Sequence, residues 1–336
     1  MKMKNSTRIL AAASAAAMML SLAACGNSSN NETPSGDDSG SGAQTYTIGI
    51  CQLVQHPALD KATQGFKDAL VETLGEENVT FDEQNANGDS PTCSTIINGF
   101  VSSNVDLILA NATAPLQAAA AGTDTIPVIG TSITDYATAL AIDNWAGTTG
   151  RNISGTSDLA PLNEQAAVIQ ELFPDAETVG LLYCSGEANS VYQVDVIEGY
   201  LTEMGYTCEC FSFTDSNDVA AVTQTACDGS DVIFIPTDNT AASNTELIAN
   251  VILPAGVPVV AGESGICSGC GVATLSIDYY DIGYQAGMMA YDILANGADI
   301  STMEVQYAPE VVKMYNASVC EQLGISIPED YSPIEE

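Results

Sequence analysis

Thirteen polar residues stand where apolar β runs end, in two sets, and their types suit the capture of a small polar molecule. The first set is Gln52, Gln55, His56, Asn111, Thr113, Thr134 and Asp135; the second is Glu187, Asn189, Ser190, Asp238, Asn239 and Glu263. Amides and hydroxyls of this kind meet a carboxylate, and carboxylates meet a cation. The same residues have plainer uses. Thr113, Asn189 and Ser190 can cap helices, Asp238 and Glu263 can be solvated turn residues, and His56, which precedes Pro57, can be a cap or a packed turn residue. Constellations for catalysis are weaker. Cys51 and Cys93 could partner His56, but nothing fixes a third orienting group, and neither a G-x-S-x-G elbow nor a Gly-rich phosphate loop occurs. Cys267-Ser-Gly-Cys270 and Cys208-Glu-Cys210 are local pairs, the first able to close a small disulfide. One CxxC with a single distant histidine does not make a zinc site. The chain therefore reads as a protein that is not an enzyme and that has no metal and no cofactor.

These residues need sheets to hold them. The stretch Tyr46 to Leu70 joins a strand (Tyr46 to Cys51), a polar turn (Gln52 to His56), a proline at a first helical position (Pro57) and a helix with Ala62, Phe66, Ala69 and Leu70 on one face. That is half of a βαβ unit, and the pattern recurs. Further strands are predicted at Val79 to Gln84, Val105 to Ala110, Ile126 to Gly130, Thr178 to Tyr183, Cys208 to Phe213, Asp231 to Ile235, Val257 to Ala261 and Val272 to Ile277. Helical stripes fall between them: Ile96, Ile97, Phe100 and Val101; Leu162, Ala166, Ile169 and Phe173; Val194, Ile197, Leu201 and Met204; Ile282, Ala286, Met289, Ile293 and Leu294. Ala139 to Ile142 closes the first half. The alternation argues an α/β fold of two doubly wound parallel-sheet lobes, with ligand-binding residues along one edge of each.

Length and charge agree. A chain of 336 residues is long enough for two compact lobes. It carries 43 acidic residues against seven basic ones, and three of the seven, Lys2, Lys4 and Arg8, lie in the first ten positions. Lys61, Lys67, Arg151 and Lys313 are all that the body keeps. Such a field repels phosphate backbones, so nucleic acid is not a partner.

Lys2, Lys4 and Arg8 followed by an apolar run from Ile9 to Leu20 make a secretory signal over residues 1–24. Leu22-Ala23-Ala24-Cys25-Gly26 resembles the bacterial lipobox, which implies that Cys25 is acylated and anchors the protein to the membrane. Residues 25–45 then form a tether of Ser, Asn, Gly, Pro and Asp. Cys25 apart, nine cysteines remain, an odd number, so at least one is unpaired or pairs outside the chain; in an exported protein such counts read as disulfides.

A wider resemblance runs over the mature chain. It is carried by Ile48-Gly49-Ile50, His56-Pro57-Ala58-Leu59-Asp60, Gly65-Phe66, Asn111-Ala112-Thr113, Ile126-Pro127-Val128, Thr134-Asp135, Asn152-Ile153-Ser154-Gly155, Asn189-Ser190, Asp238-Asn239-Thr240 and Gly283. In their order and spacing the chain resembles the ABC-transporter substrate-binding lipoproteins associated with tryptophan and tyrosine uptake. The resemblance implies the type I periplasmic-binding-protein fold, with two lobes joined by a three-segment hinge: 46–157 plus 277–304 as lobe 1, and 158–276 plus 305–336 as lobe 2. It implies a monomer, lipid-anchored on the extracytoplasmic face of the membrane, that closes on a small ligand, an amino acid and an aromatic one, and delivers it to an ABC permease. Since a free amino acid offers a carboxylate and an ammonium on one carbon, Thr113 and Ser190 are expected to help hold the carboxylate from opposite lobes and Asp238 to meet the ammonium. An exported sensor that presents its liganded form to a receptor would share every cleft residue, and the same fold could carry a sugar, nucleoside or other metabolite. The chain departs from the family pattern at Tyr136, where a proline is expected, and at Arg151, where a glycine is expected. A tyrosine there, near the cleft, would change the pocket's size and polarity.

Overall fold

A computed structural model describes residues 44–334. The signal segment, Cys25 and the tether up to residue 43 lie outside the described residues.

In chain order the first half contains β1 (Tyr46–Gln52), α1 (Pro57–Leu74), β2 (Val79–Asn85), α2 (Ser90–Ser103), β3 (Leu107–Asn111), α3 (Thr113–Gly122), β4 (Val128–Ile133), α4 (Tyr136–Leu140) and β5 (Ile153–Ser157). The second half adds α5 (Leu162–Leu172), β6 (Thr178–Cys184), α6 (Ala188–Glu203), β7 (Thr207–Phe213), α7 (Val219–Gly229), β8 (Val232–Ile235), α8 (Asn239–Ala242), α9 (Thr245–Ala255), β9 (Val259–Ala261), α10 (Ser264–Cys270) and β10 (Ala273–Ser276). Then follow α11 (Tyr279–Asn296), β11 (Gln306–Tyr307), β12 (Val312–Tyr315), α12 (Ala317–Leu323) and β13 (Ser332–Pro333). The strands make two sheets, ordered β11-β5-β4-β3-β1-β2 and β13-β12-β10-β9-β8-β6-β7. All pairings are parallel except β10 with β12.

Period-2 alternation sets the layers of the first lobe. Ile48, Ile50, Leu107 and Leu109 pack with Phe66, Leu70, Ala286 and Met289 of α1 and α11. Cys51, Ile108 and Ala110 face Ile97 and Phe100 of α2 and Leu116 of α3 on the other side. Strands covered on both faces read as apolar runs: β8 is apolar throughout and β3 is apolar as far as Asn111 at its end. α1 and α11 cross with their backbones almost touching: a Cβ on Gly65 would run into the carbonyl of Tyr280, and one on Gly283 into that of Ala62. That contact ties α11, which follows the second lobe in sequence, to the first lobe.

Two details differ from the sequence reading. The strand after β4 is β5, and Ala139 to Ile142 is instead the end of the short helix α4 and its C-terminal turn. β5 reads Ile-Ser-Gly-Thr-Ser, with one large apolar residue, yet all five are buried. The third crossing between lobes comes after Tyr307, later than residue 305, because β11 pairs with β5 in the first sheet. The cysteines also differ: all nine among the described residues are free thiols, Cys267 and Cys270 being buried on α10.

Candidate functional site

The strand ends of the two sheets face one another, and the expected residues divide according to what their side chains are already doing. On the first lobe, Gln52 and Asn111 turn inward. Thr63 Oγ1 donates to Gln52 Oε1 at 2.6 Å, Gln52 Nε2 donates to Asp60 Oδ1 at 2.7 Å, and Asn111 Nδ2 donates to the Leu59 carbonyl at 2.8 Å and to Thr63 Oγ1 at 2.9 Å. This network shapes the β1–α1 turn instead of lining the cleft. Gln55 is exposed beside it. Thr134 Oγ1 donates to Asp158 Oδ1 at 3.0 Å, and Asp135 caps α4 by accepting from the Thr138 amide at 2.7 Å.

Tyr136 does not enter the cleft. It is buried in the first lobe, donates its hydroxyl to the Thr156 carbonyl at 3.2 Å and stacks on Trp145 with ring centroids 6.4 Å apart. A Cβ on Gly130 would lie 2.5 Å from that hydroxyl, so the small residue in β4 makes the room.

On the second lobe the carboxylates are helix caps. Glu187 Oε1 accepts from the amide and hydroxyl of Thr240, both at 2.8 Å. Its Oε2 accepts from the Asn239 amide at 3.0 Å, Asn239 Nδ2 at 2.7 Å and Asn189 Nδ2 at 3.1 Å. Asp238 accepts from the Cys184 amide at 2.6 Å and from the Ala241 amide at 2.8 Å. Burial, and then the nearby Glu187 charge, pushes Asp238 up to about 7. Asp238, expected to meet an ammonium, is thus a buried clip between β6 and α8, with its oxygens already engaged by backbone amides. Glu263 caps α10 through the Gly265 and Ile266 amides and is raised by its burial, with His56 acting in the opposite direction. Ser190 is fully buried in the first turn of α6 and lies outside the cleft lining.

Side chains also leave α1, after His56, and α9, after the cleft-lining Asn244, uncapped, but two uncapped helix starts face each other across the cleft. α3 begins after Ala112, held at φ 99° and ψ 166°, a conformation that costs a residue with a side chain roughly 1–3 kcal/mol, and no side chain caps it. α6 begins after Glu187, whose carboxylate serves α8 and does not cap its own helix. The first amides of both are therefore unclaimed by side chains, and the partial positive charge there favours anions. Both starts line one interlobe cleft: Thr113 and Ala114 on one side, Glu187, Ala188 and Asn189 on the other. Leu53, Val54 and Pro91 supply an apolar wall. Thr113, Glu187, Asn189 and Asn239 are the expected residues that line it. The Asn87–Pro91 turn, Gln117, Thr214 to Ser216, Ser243 and Asn244 line it as well and were not anticipated, although Asn-Gly-Asp-Ser-Pro is a turn-and-cap sequence of the kind that gathers at strand ends.

His56 makes a contact of another kind. Its Nε2 lies 3.2 Å from Asn239 Oδ1 in the opposite lobe.

Comparison with known proteins places this architecture. Residues 47–333 match the family described as ABC transporter substrate binding protein. A tyrosine-binding protein of Clostridioides difficile is 34% identical over 280 residues, 83% of this chain and 81% of that protein. The ABC domain from Streptococcus pneumoniae in complex with L-Trp is 30% identical, with a TM-score of 0.83 over 87% of this chain and 100% of that one. The ligand-free, open structure of a substrate-binding protein with adhesive properties from Clostridium difficile is 34% identical, with a TM-score of 0.66 over 87% of this chain and 99% of that one. The nearer sequence superposes less well, so the lobes here stand closer to the arrangement of the L-Trp complex than to the open one. The fold is that of the type I periplasmic binding proteins, and the chain belongs to the ABC transporter substrate-binding proteins, which present solutes to ABC importers on the extracytoplasmic side of the membrane.

Proposed function

We propose that the chain captures an aromatic amino acid between its lobes and hands it to an ABC permease as a monomer anchored through an acylated Cys25. The observation that carries the cargo class is the pair of uncapped helix starts, α3 and α6, facing one cleft with an apolar wall beside them. The ligand's carboxylate sits at the start of α3 with the Thr113 hydroxyl, within the field of the α6 start. Its ring packs on Leu53, Val54 and Pro91. Its ammonium faces the acidic side chains of the same cleft, Glu187, Asp89 and Asp215. The names of the tyrosine-binding and L-Trp-bound relatives support the aromatic class.

Thermal denaturation against the amino acids tests this. L-tyrosine or L-tryptophan at about one hundred times its dissociation constant adds roughly 2.7 kcal/mol to stability. If no amino acid stabilises the protein, the cargo assignment is wrong. The anchor is tested separately by fatty-acid labelling, which Cys25→Ala abolishes, releasing the protein from the membrane fraction.

A further inference from the structure

The contact between His56 and Asn239 joins the two lips of the cleft, and away from the hinge it is the only side-chain hydrogen bond that does so among the described residues. Both residues are buried. The direction of the bond follows from Asn239's other partner. Asn239 Nδ2 donates to Glu187 Oε2 at 2.7 Å, and an ionised carboxylate only accepts, so Asn239 Oδ1 is the atom turned toward the ring. Nε2 of His56 therefore carries the proton and donates. The other ring nitrogen, Nδ1, is buried with no partner, and His56 does not line the cleft.

We propose that this bond is the latch of the closed state, with His56 as a positioning residue that holds the lobes together and does not touch the ligand. The latch rests on the reading of a ligand bound between the lobes, and it deepens that reading by tying closure to the binding loop. Glu187 fixes the aim of Asn239 and immediately precedes α6, whose first residues line the cleft. A ligand seated on that loop holds the acceptor where His56 can reach it. In the open state the lips part and both groups return to water, so the bond contributes to one state only. Breaking it with the lobes closed leaves Asn239 Oδ1 buried and unpaired, which makes opening easier by about tenfold.

The test uses the geometry of the ring. A glutamine places its amide N–H near the position of Nε2, and an asparagine places its amide near that of Nδ1. Stopped-flow release of L-tyrosine and L-tryptophan, with small-angle scattering of the ligand-free protein, is measured for wild type, His56→Phe, His56→Asn and His56→Gln. The latch predicts about tenfold faster release and a more expanded ligand-free protein for the Phe and Asn variants, with both properties restored in the Gln variant. The opposite pattern, Asn like wild type and Gln defective, overturns the proposal and makes Nδ1 a ligand contact. Four indistinguishable proteins overturn it as well. The Asn and Gln variants decide the matter even if the Phe variant misfolds. Should wild type bind neither amino acid, the cargo reading fails and the ligand-free scattering still judges the latch.

Discussion

Replacing Asp158 by asparagine should make the protein more stable at high pH and leave it nearly unchanged at low pH. Asp158 follows β5 at the first crossing between lobes, is 3% exposed, and accepts from Thr134 Oγ1 at 3.0 Å and Tyr279 Oη at 3.1 Å. Its burial raises it from 3.8 to about 6, against the pull of those two hydrogen bonds. The folded protein thus holds this proton more tightly than the unfolded chain. The contribution is complete below about pH 4 and is lost as pH rises through about 6. A shift of about two pH units corresponds to about 3 kcal/mol. Asparagine keeps an acceptor for Thr134 and offers an N–H to the Tyr279 hydroxyl, which can turn to accept it, so both contacts survive without a charge. Calorimetric melting at pH 4.5, 6 and 8 should show a gap in Tm between variant and wild type that widens by roughly 4 °C across the series, because about 1 of the roughly 3 kcal/mol is already lost at pH 4.5, at roughly 2 °C per kcal/mol for a chain of this size. Asp238 is present in both proteins and cancels in the difference, whereas the Glu263 charge adds to the rise at Asp158 and is part of the effect. A gap that stays constant with pH would refute the assignment of a strained buried charge at Asp158.

Three further outcomes follow from single positions. Ala112→Gly relieves a backbone conformation that suits glycine and should stabilise the protein by about 1 kcal/mol in urea denaturation, after the entropy that glycine loses on folding. Tyr136→Phe removes one buried hydrogen bond to the Thr156 carbonyl and should cost about 1 kcal/mol of stability, with amino-acid affinity by calorimetry unchanged, because the ring lies behind the cleft. Gly283→Val forces a branched side chain into the α1 backbone and should lower Tm by several degrees or prevent folding, read by circular dichroism.

The parallel core was legible because it depends on what hydropathy reports. β1, β6, β7 and β8 begin and end within a residue or two of the runs Tyr46 to Cys51, Thr178 to Tyr183, Cys208 to Phe213 and Asp231 to Ile235. β5 was not legible, because Ser154, Thr156 and Ser157 satisfy their hydroxyls through the Met303 carbonyl, Thr131 and the Thr134 carbonyl, partners remote in sequence or on another element. The same holds for the site. Strand-end position drew attention to Gln52, Asn111, Asp238 and Glu263, but position alone does not reveal whether an oxygen faces a ligand or a backbone amide. Tyr136 misled for a related reason: the space that admits it is made by Gly130 on the neighbouring strand.

That division of labour among the carboxylates bears on how so acidic a chain, with a formal net charge of −36, can hold an anionic group at all. Asp89 caps α2, Asp135 caps α4, Asp238 and Glu187 cap α8, and Glu263 caps α10. Each cancels the positive end of a helix near the cleft. α3 and α6, which face each other across the cleft, keep theirs, since Ala112 has nothing to cap with and Glu187 is turned to α8. The net field repels an anion, and these two starts offer it a local minimum, so the carboxylate should govern affinity more than the ring does. Tyramine, which keeps the ring and ammonium of tyrosine and lacks the carboxylate, isolates this term. Two charge-assisted hydrogen bonds contribute at least about 3 kcal/mol, so tyramine should bind at least about a hundredfold more weakly than tyrosine in calorimetry. Equal binding of the two would mean that the uncapped helix starts do not hold the ligand.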